Sequence, residues 1–227
     1  ILYRLLRTLK PDATLLTHVP HRMREGYGIH AAALRGLHEA GAGLVISVDC
    51  GISDHRAATA ARQAGLDLII TDHHLPRGGW DGPLPEAYAI VHPGRPGPEA
   101  YPFADLCGAA VAYKLAWHLA VRFTGSERVG PVLQEALLDL LPLAALGTIA
   151  DVVPLVDENR ILARYGLRLL PRTRLAGLRA LLASAKLESE TLTARDVAFG
   201  LAPRLNACGR IDDPTRALDL LLADDAA

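Results

Sequence analysis

Two short apolar runs, residues 43–48 and 66–71, each end on an aspartate, Asp49 and Asp72, and the segment between them carries helix start and stop signals. Ser53 or Asp54 can cap that helix, which would run to Ala64 and stop at Gly65. Runs that are apolar at nearly every position, rather than at alternate ones, predict strands buried on both faces. Strand, helix and strand in about 30 residues make a βαβ unit, whose crossover connection sets the two strands parallel. The chain is thereby constrained to an α/β fold with a parallel sheet flanked by helices.

The flanking segments extend this pattern. Residues 1–9 read as the end of a helix broken by Pro11, 13–17 as a strand, and 31–40 as a helix stopped at Gly41. One more short strand is predicted at 87–91, inside a loop rich in Gly and Pro that spans 77–102. Beyond Phe103, apolar residues recur at helical spacing at Val111, Leu115 and Leu119, and again through 132–146. Further helices are predicted over 160–170, 175–185, 194–201 and 214–223. The expected organisation is an α/β part, 1–102, followed by a mainly helical half, 103–227, of the same domain.

Composition narrows the function classes. With 50% hydrophobic and 22% charged residues in 227, the chain can bury a sizeable core like an ordinary globular protein. No apolar run reaches the roughly 18 residues of a membrane span, and Arg4, Arg7 and Lys10 interrupt the first apolar stretch, so neither a membrane nor a signal peptide is expected. Cys50, Cys107 and Cys208 show no CxxC spacing, which argues against a disulfide framework or structural zinc and for a reducing cytoplasm. A net charge of −1 gives no global signature of a nucleic-acid binder. Lysine occurs only at Lys10, Lys114 and Lys186, and arginine supplies the other positive charges. Arginine's rigid fork suits phosphate, although a GC-rich coding bias would produce the same excess.

In parallel α/β sheets, ligands bind beyond the carboxyl ends of the strands. If the two strands are neighbours, Asp49, Asp72, His73 and His74 meet on one rim. Gly51 would let the chain turn sharply after Asp49, and the helix that follows would aim its N-terminus, which favours phosphate, at the same rim. Carboxylates with one or two imidazoles are the ligands expected for manganese or related divalent ions. Asp49 alone reads equally well as a cap or loop residue; an acid followed by two histidines at the end of an apolar strand is harder to read as structural. Asp151 lies in an otherwise apolar segment, where a buried carboxylate is costly unless paired or bound to metal, and Pro154 redirects the chain after it. Arg204, Asn206 and Arg210 surround Gly209 and could hold a phosphate or a backbone turn. Arg160, Arg164 and Arg168, at i, i+4 and i+8, share one helix face, which reads first as a solvated face and second as a nucleic-acid track.

In this order the segments resemble the DHH phosphoesterase family, whose defining sequence is the Asp72-His73-His74 triplet. Asp49 in Val48-Asp49-Cys50-Gly51 matches the family's second motif, and Asp151, preceded by Gly147-Thr148-Ile149-Ala150, matches the fourth. Segments 20–28, 107–111 and 202–210 resemble those of the single-strand-specific exonuclease branch. The resemblance implies a site for two Mn2+ (or Mg2+) ions, with Asp49 bridging them and His73 and Asp151 ligating one. His74 would face the scissile phosphate, Asp72 would orient the two histidines, and water activated by the ions would attack phosphorus. Arg204, Asn206, Arg210 and Arg22 would be substrate contacts.

The implied activity is hydrolysis of single-stranded DNA from its 5′ end in repair and recombination. Single-stranded DNA is the implied partner, with a single-stranded-DNA-binding protein and a helicase as further candidates. The alternatives are a DHH hydrolase of short oligonucleotides or pyrophosphate, and a non-catalytic scaffold of the same ancestry. The family's first motif would precede Ile1 and its C-terminal substrate-binding domain would follow Ala227. The expectation is therefore a fragment that binds metal weakly and has little activity alone.

Overall fold

The computed structural model describes residues 1–21, 25–187, 189–211 and 213–224, with only the backbone given at 210 and 211. Three strands, β1 (Leu44–Val48), β2 (Asp67–Thr71) and β3 (Ala89–Val91), form a parallel sheet in the order β1-β2-β3. The helices α1 (Leu2–Leu9), α2 (Ala31–Glu39) and α3 (His55–Gln63) accompany the sheet. The rest is helical: α4 (Gly108–Thr124), α5 (Pro131–Ala150), α6 (Asp157–Leu169), α7 (Ala176–Ser184), α8 (Ala194–Asp196), α9 (Ala202–Ile211) and α10 (Thr215–Leu222). A parallel sheet followed by a mainly helical half is the fold class expected from the residues.

Side-chain alternation along the strands divides the apolar residues between two cores. Val45, Leu68, Ile70 and Ile90 join Leu34 of α2 and Ala57, Ala58 and Ala61 of α3 on one face. Ile46 and Val91 meet the larger core on the other face, built from α1, α4, α5, α6 and the later helices. Leu2, Leu5 and Leu9 place α1 in that larger core. Within it α5 is central: it is long and apolar enough to cross a membrane by length and composition, yet ten of its residues are buried here.

Four local expectations are corrected. Residues 13–17 form no strand; the segment is not hydrogen-bonded into the sheet, and Leu16 is exposed. β1 is not covered on all sides: it is an edge strand among the described residues, and Leu44 and Val48 are exposed. Neither Ser53 nor Asp54 caps α3 with its side chain, because both are engaged elsewhere: Ser53 Oγ accepts from Arg77 N–H at 2.9 Å and Asp54 Oδ2 from Ile29 N–H at 2.6 Å. Residues 202–211 are helix rather than a turn. A π turn at Val197–Leu201 leads into this helix, so Pro203 falls at its second position, where a missing amide costs little, and the Arg204 guanidinium donates to the Gly200 carbonyl.

Candidate metal centre

The register of the sheet builds the site. Val48 pairs with Thr71, so the next residues, Asp49 and Asp72, leave the sheet side by side. Two further ladder bonds hold them there, Asp49 N–H to Thr71 O at 2.9 Å and Asp72 N–H to Val91 O at 3.2 Å. Asp49 has φ +66, a left-handed conformation that Asp tolerates better than most residues, and the turn is completed by Gly51 at φ +116. Glycine suits that second position because φ +116 is a conformation that other residues rarely adopt, and a β-carbon would also press on Ile29 Cδ1 at 2.7 Å.

Asp72 organises the rim from below. Its side chain is buried, and Oδ2 accepts from Ile52 N–H at 2.9 Å, which ties the turn after β1 to the end of β2. Oδ1 accepts from the amides of His73 and His74 at 2.8 and 3.2 Å and from His74 Nδ1 at 2.7 Å. Burial pushes this carboxyl up, but the hydrogen bonds from Ile52, His74 and His73 outweigh it and hold it below the usual range. Because Asp72 takes His74 Nδ1, the Nε2 of that half-exposed ring is left facing outward.

His73 points the other way. Its Nε2 lies 3.0 Å from Asp49 Oδ1 and 3.5 Å from Asp151 Oδ2. Neither oxygen lies on the axis of a ring N–H, so the nitrogen is buried without a well-aligned hydrogen bond. The neighbouring Asp49 carboxylate, against the opposing effect of burial and with help from Asp151 and Asp72, raises His73 above the usual imidazole value. Donor atoms of Asp49, His73 and His74 lie within 4.8 Å of one another. An imidazole lone pair converging with two carboxylates, misaligned for a proton, fits a divalent cation.

Two helices bring the fourth group. A β-carbon on Gly147 of α5 would lie 2.3 Å from Ala109 Cβ of α4, so the two helices nearly touch there, and the end of α5 reaches the start of α4. Asp151 is the C-cap of α5 and is exposed, not buried in the apolar segment that precedes it. A carboxylate at the negative end of a helix dipole is electrostatically out of place. Partial desolvation raises the Asp151 carboxyl, and repulsion from Asp49 adds to this against the attraction of His73 and His74. It sits where a cation would relieve it.

The structure thus brings together Asp49, Asp72, His73, His74 and Asp151. Among the described residues no hydrogen bond or ion pair joins Arg204 or Asn206, both exposed on α9, to this group. Arg22 lies outside the described residues, as does the side chain of Arg210. Two contributors were not singled out in the sequence, although Gly108 lies within the 107–111 segment. Gly108, the first residue of α4, packs against the Asp49 carboxylate. His92, just after β3, holds the His74 carbonyl through Nε2 at 2.8 Å, while its Nδ1 accepts from Gly94 N–H at 3.0 Å and its ring meets Trp80 edge-on at 4.7 Å.

Residues 1–148 match the model of the DHH family, N-terminal domain. The chain belongs to the DHH family. Among curated relatives it is 44% identical over 224 residues to the single-stranded-DNA-specific exonuclease RecJ of Bacillus subtilis, covering 98% of this chain and 26% of that protein. It is 40% identical over 210 residues to RecJ of Escherichia coli, covering 91% of this chain and 36% of that protein. The chain therefore spans between about a quarter and about a third of those DHH relatives. In three dimensions it resembles a crystal structure of exonuclease RecJ bound to manganese, with TM-score 0.79 and 36% identity over 98% of this chain and 53% of that one. RecJ of Thermus thermophilus in complex with Mn2+ gives TM-score 0.75 and 33% identity over 99% of this chain and 30% of that one.

Proposed function

We propose that this chain is part of a metal-dependent nuclease that hydrolyses phosphodiester bonds of single-stranded DNA from the 5′ end, in DNA repair and recombination. The observation that carries this reading is the buried Nε2 of His73, facing Asp49 and Asp151 without an aligned hydrogen bond. The relatives support manganese, or magnesium, as the ion and single-stranded DNA as the substrate.

On this reading Asp49, His73 and Asp151 would hold divalent metal ions, with the Asp49 carboxylate, 3.0 Å from His73 Nε2, at the centre of the group. When bound, such ions polarise the phosphoryl group and acidify water. The protein's own part is positioning. Asp72 fixes the tautomer of His74 by accepting from Nδ1, so Nε2 presents a lone pair, or a proton when the ring is charged, to a phosphate on the outer side. Arg204, Asn206, Arg210 and Arg22 are proposed substrate contacts. A single-stranded-DNA-binding protein and a helicase are proposed partners, with the cytoplasm as the place of action.

The test uses the longest natural polypeptide that carries this chain, manganese, and single-stranded DNA labelled at either end, with Asp49→Asn alongside. Stepwise release from the 5′ end, lost in the variant, is the expected result. Turnover of dinucleotides or pyrophosphate without cleavage of DNA would move the protein to the small-substrate branch of the family, and inactivity on all of them to a scaffold.

A further inference from the structure

α6 begins six residues after Asp151 and runs away from the metal centre. Its direction is fixed by Gly166, where a β-carbon would stand 2.3 Å from Ala145 Cβ and 2.8 Å from Leu141 O, so α6 returns antiparallel along α5. Asn159 anchors the near end, donating from Nδ2 to Asp105 O at 2.6 Å and Pro154 O at 3.0 Å. The buried face of α6 carries Asn159, Leu162, Ala163 and Gly166. The opposite face carries Arg160, Arg164 and Arg168, all exposed and ~6 Å apart along the axis at successive turns.

Two features of this face are not those of a solvated helix. The first is charge: three arginines stand at successive turns of one exposed face, and none of them has an acidic partner among the described residues. The nearby Glu158 is occupied on the flank by Tyr101 and Lys114, and Asp157 at the first position of the helix is the one carboxylate on the face itself. The second is apolar surface between the charges. Ile161 is 55% and Tyr165 49% exposed, and the Arg168 guanidinium lies over the Tyr165 ring, 5.9 Å from its centroid. Interleaved cations and an aromatic ring are the chemistry that recognises single strands, cations along the phosphates and a ring under a base.

We propose that the exposed face of α6 is a track for single-stranded nucleic acid that leads to the metal centre, with Arg160, Arg164 and Arg168 on phosphates and Tyr165 against a base. The inference rests on the nuclease reading above and specifies where its substrate lies beyond the scissile bond.

The experiment compares the longest natural polypeptide carrying this chain with its Arg160→Gln/Arg164→Gln/Arg168→Gln variant, and with Arg164→Gln and Tyr165→Ala. Binding of labelled oligo(dT) is measured in EDTA across a salt series, and manganese-dependent kinetics on long and dinucleotide substrates. Loss of three phosphate contacts is expected to lower the slope of log K against log salt by about 2, and Arg164→Gln alone by about 0.7. KM for the long substrate should rise ~10-fold or more with kcat unchanged, while dinucleotide turnover stays the same. Tyr165→Ala should weaken binding without changing the slope. An unchanged slope and KM in the triple variant would overturn the track alone, as would a loss of binding accompanied by an equal fall in thermal stability in every variant. An unmodified protein that neither binds nor cleaves oligo(dT) would overturn both the track and the nuclease reading.

Discussion

Gly108 lies directly against Asp49: a β-carbon on it would stand 2.3 Å from Asp49 Oδ1 and 2.5 Å from Asp49 Cβ. The contact places the first turn of α4 against the carboxylate at the centre of the candidate metal group, and no larger residue fits between them. Helix propensity alone favours alanine over glycine there by about 1 kcal/mol. The clash therefore decides the sign, because Asp49 is already held in a left-handed backbone conformation and has little room to retreat. Gly108→Ala is expected to weaken manganese binding ~10-fold or more by titration calorimetry and to lower hydrolysis accordingly. A variant that gains thermal stability with undiminished manganese affinity would show that the contact does not position Asp49.

His74 is gripped at its amide and at ring Nδ1 by Asp72, and at its carbonyl by His92. Since Gly94 N–H donates to His92 Nδ1, the proton of this neutral ring sits on Nε2, where it meets the His74 carbonyl. Removing that grip frees the peptide that carries the His74 ring without touching the Asp49 and His73 donors. His92→Ala should lower kcat ~10–100-fold, the usual effect of deleting an outer hydrogen-bond partner at such a site. KM and manganese affinity should change little. His92→Gln, which keeps a donor at similar reach, should recover part of the loss. Equal losses in the two variants, tracking a common fall in melting temperature, would reduce His92 to a packing residue.

Much of the site was legible because polar residues standing at the ends of apolar strands have few structural reasons to be there. β2 is apolar through Leu68, Ile69 and Ile70, and its register with β1 alone brings Asp72 beside Asp49. Asp151 was found by a different route, an acid inside an apolar segment, and the structure alters that reason: the residue is exposed at the end of α5, not buried within it. His92 was not legible, and Gly108 and Gly147, though inside segments that carry the family resemblance, gave no sign of their roles, since each matters through a neighbour far away in sequence that no local spacing records. The helix through 202–211 was hidden by Pro203, because propensity reads proline as a break, whereas here it falls at the second position of a helix that a π turn leads into. Residues 13–17 show the converse, a short stretch rich in Thr and Leu with no strand beside it among the described residues to pair with.

Away from the site, the core makes a pH-dependent contribution that can be isolated. Tyr113 is buried in α4 and donates its hydroxyl to Leu137 O at 3.1 Å. Burial pushes its phenol up to about 12 from an ordinary 10. Between those values the unfolded chain has lost the proton and the folded chain keeps it, so the unfolded state binds fewer protons and stability falls as pH rises. Below pH 10 the contribution is fully present. Tyr113→Phe removes the hydrogen bond, at a cost of about 1 kcal/mol, and removes the titration with it. In urea denaturation, the stability difference between parent and variant should be flat up to about pH 10, then shrink and change sign before about pH 12. A difference that stays constant across that window would mean that the phenol ionises freely in the folded state.

Val152 follows Asp151 at the position past the end of α5 where helices most often place glycine, and it has φ +59 while 85% exposed. Its amide donates to Ile149 O at 3.3 Å, closing the last turn, so the left-handed conformation is what stops the helix and sets the direction of Asp151. A β-branched residue there carries strain of about 1–2 kcal/mol, which glycine would release at a smaller entropic cost in the unfolded chain. Val152→Gly is therefore expected to raise the melting temperature by about 2–4 °C. The strained valine also adds exposed apolar surface, as do Val156, at the N-cap of α6, and Ile161 on it. If that surface guides a single strand, the more stable variant should bind oligo(dT) more weakly while its manganese affinity is retained. A melting temperature that falls would mean that the surroundings of Val152 hold this turn without strain; weaker manganese binding would instead place the valine in control of Asp151.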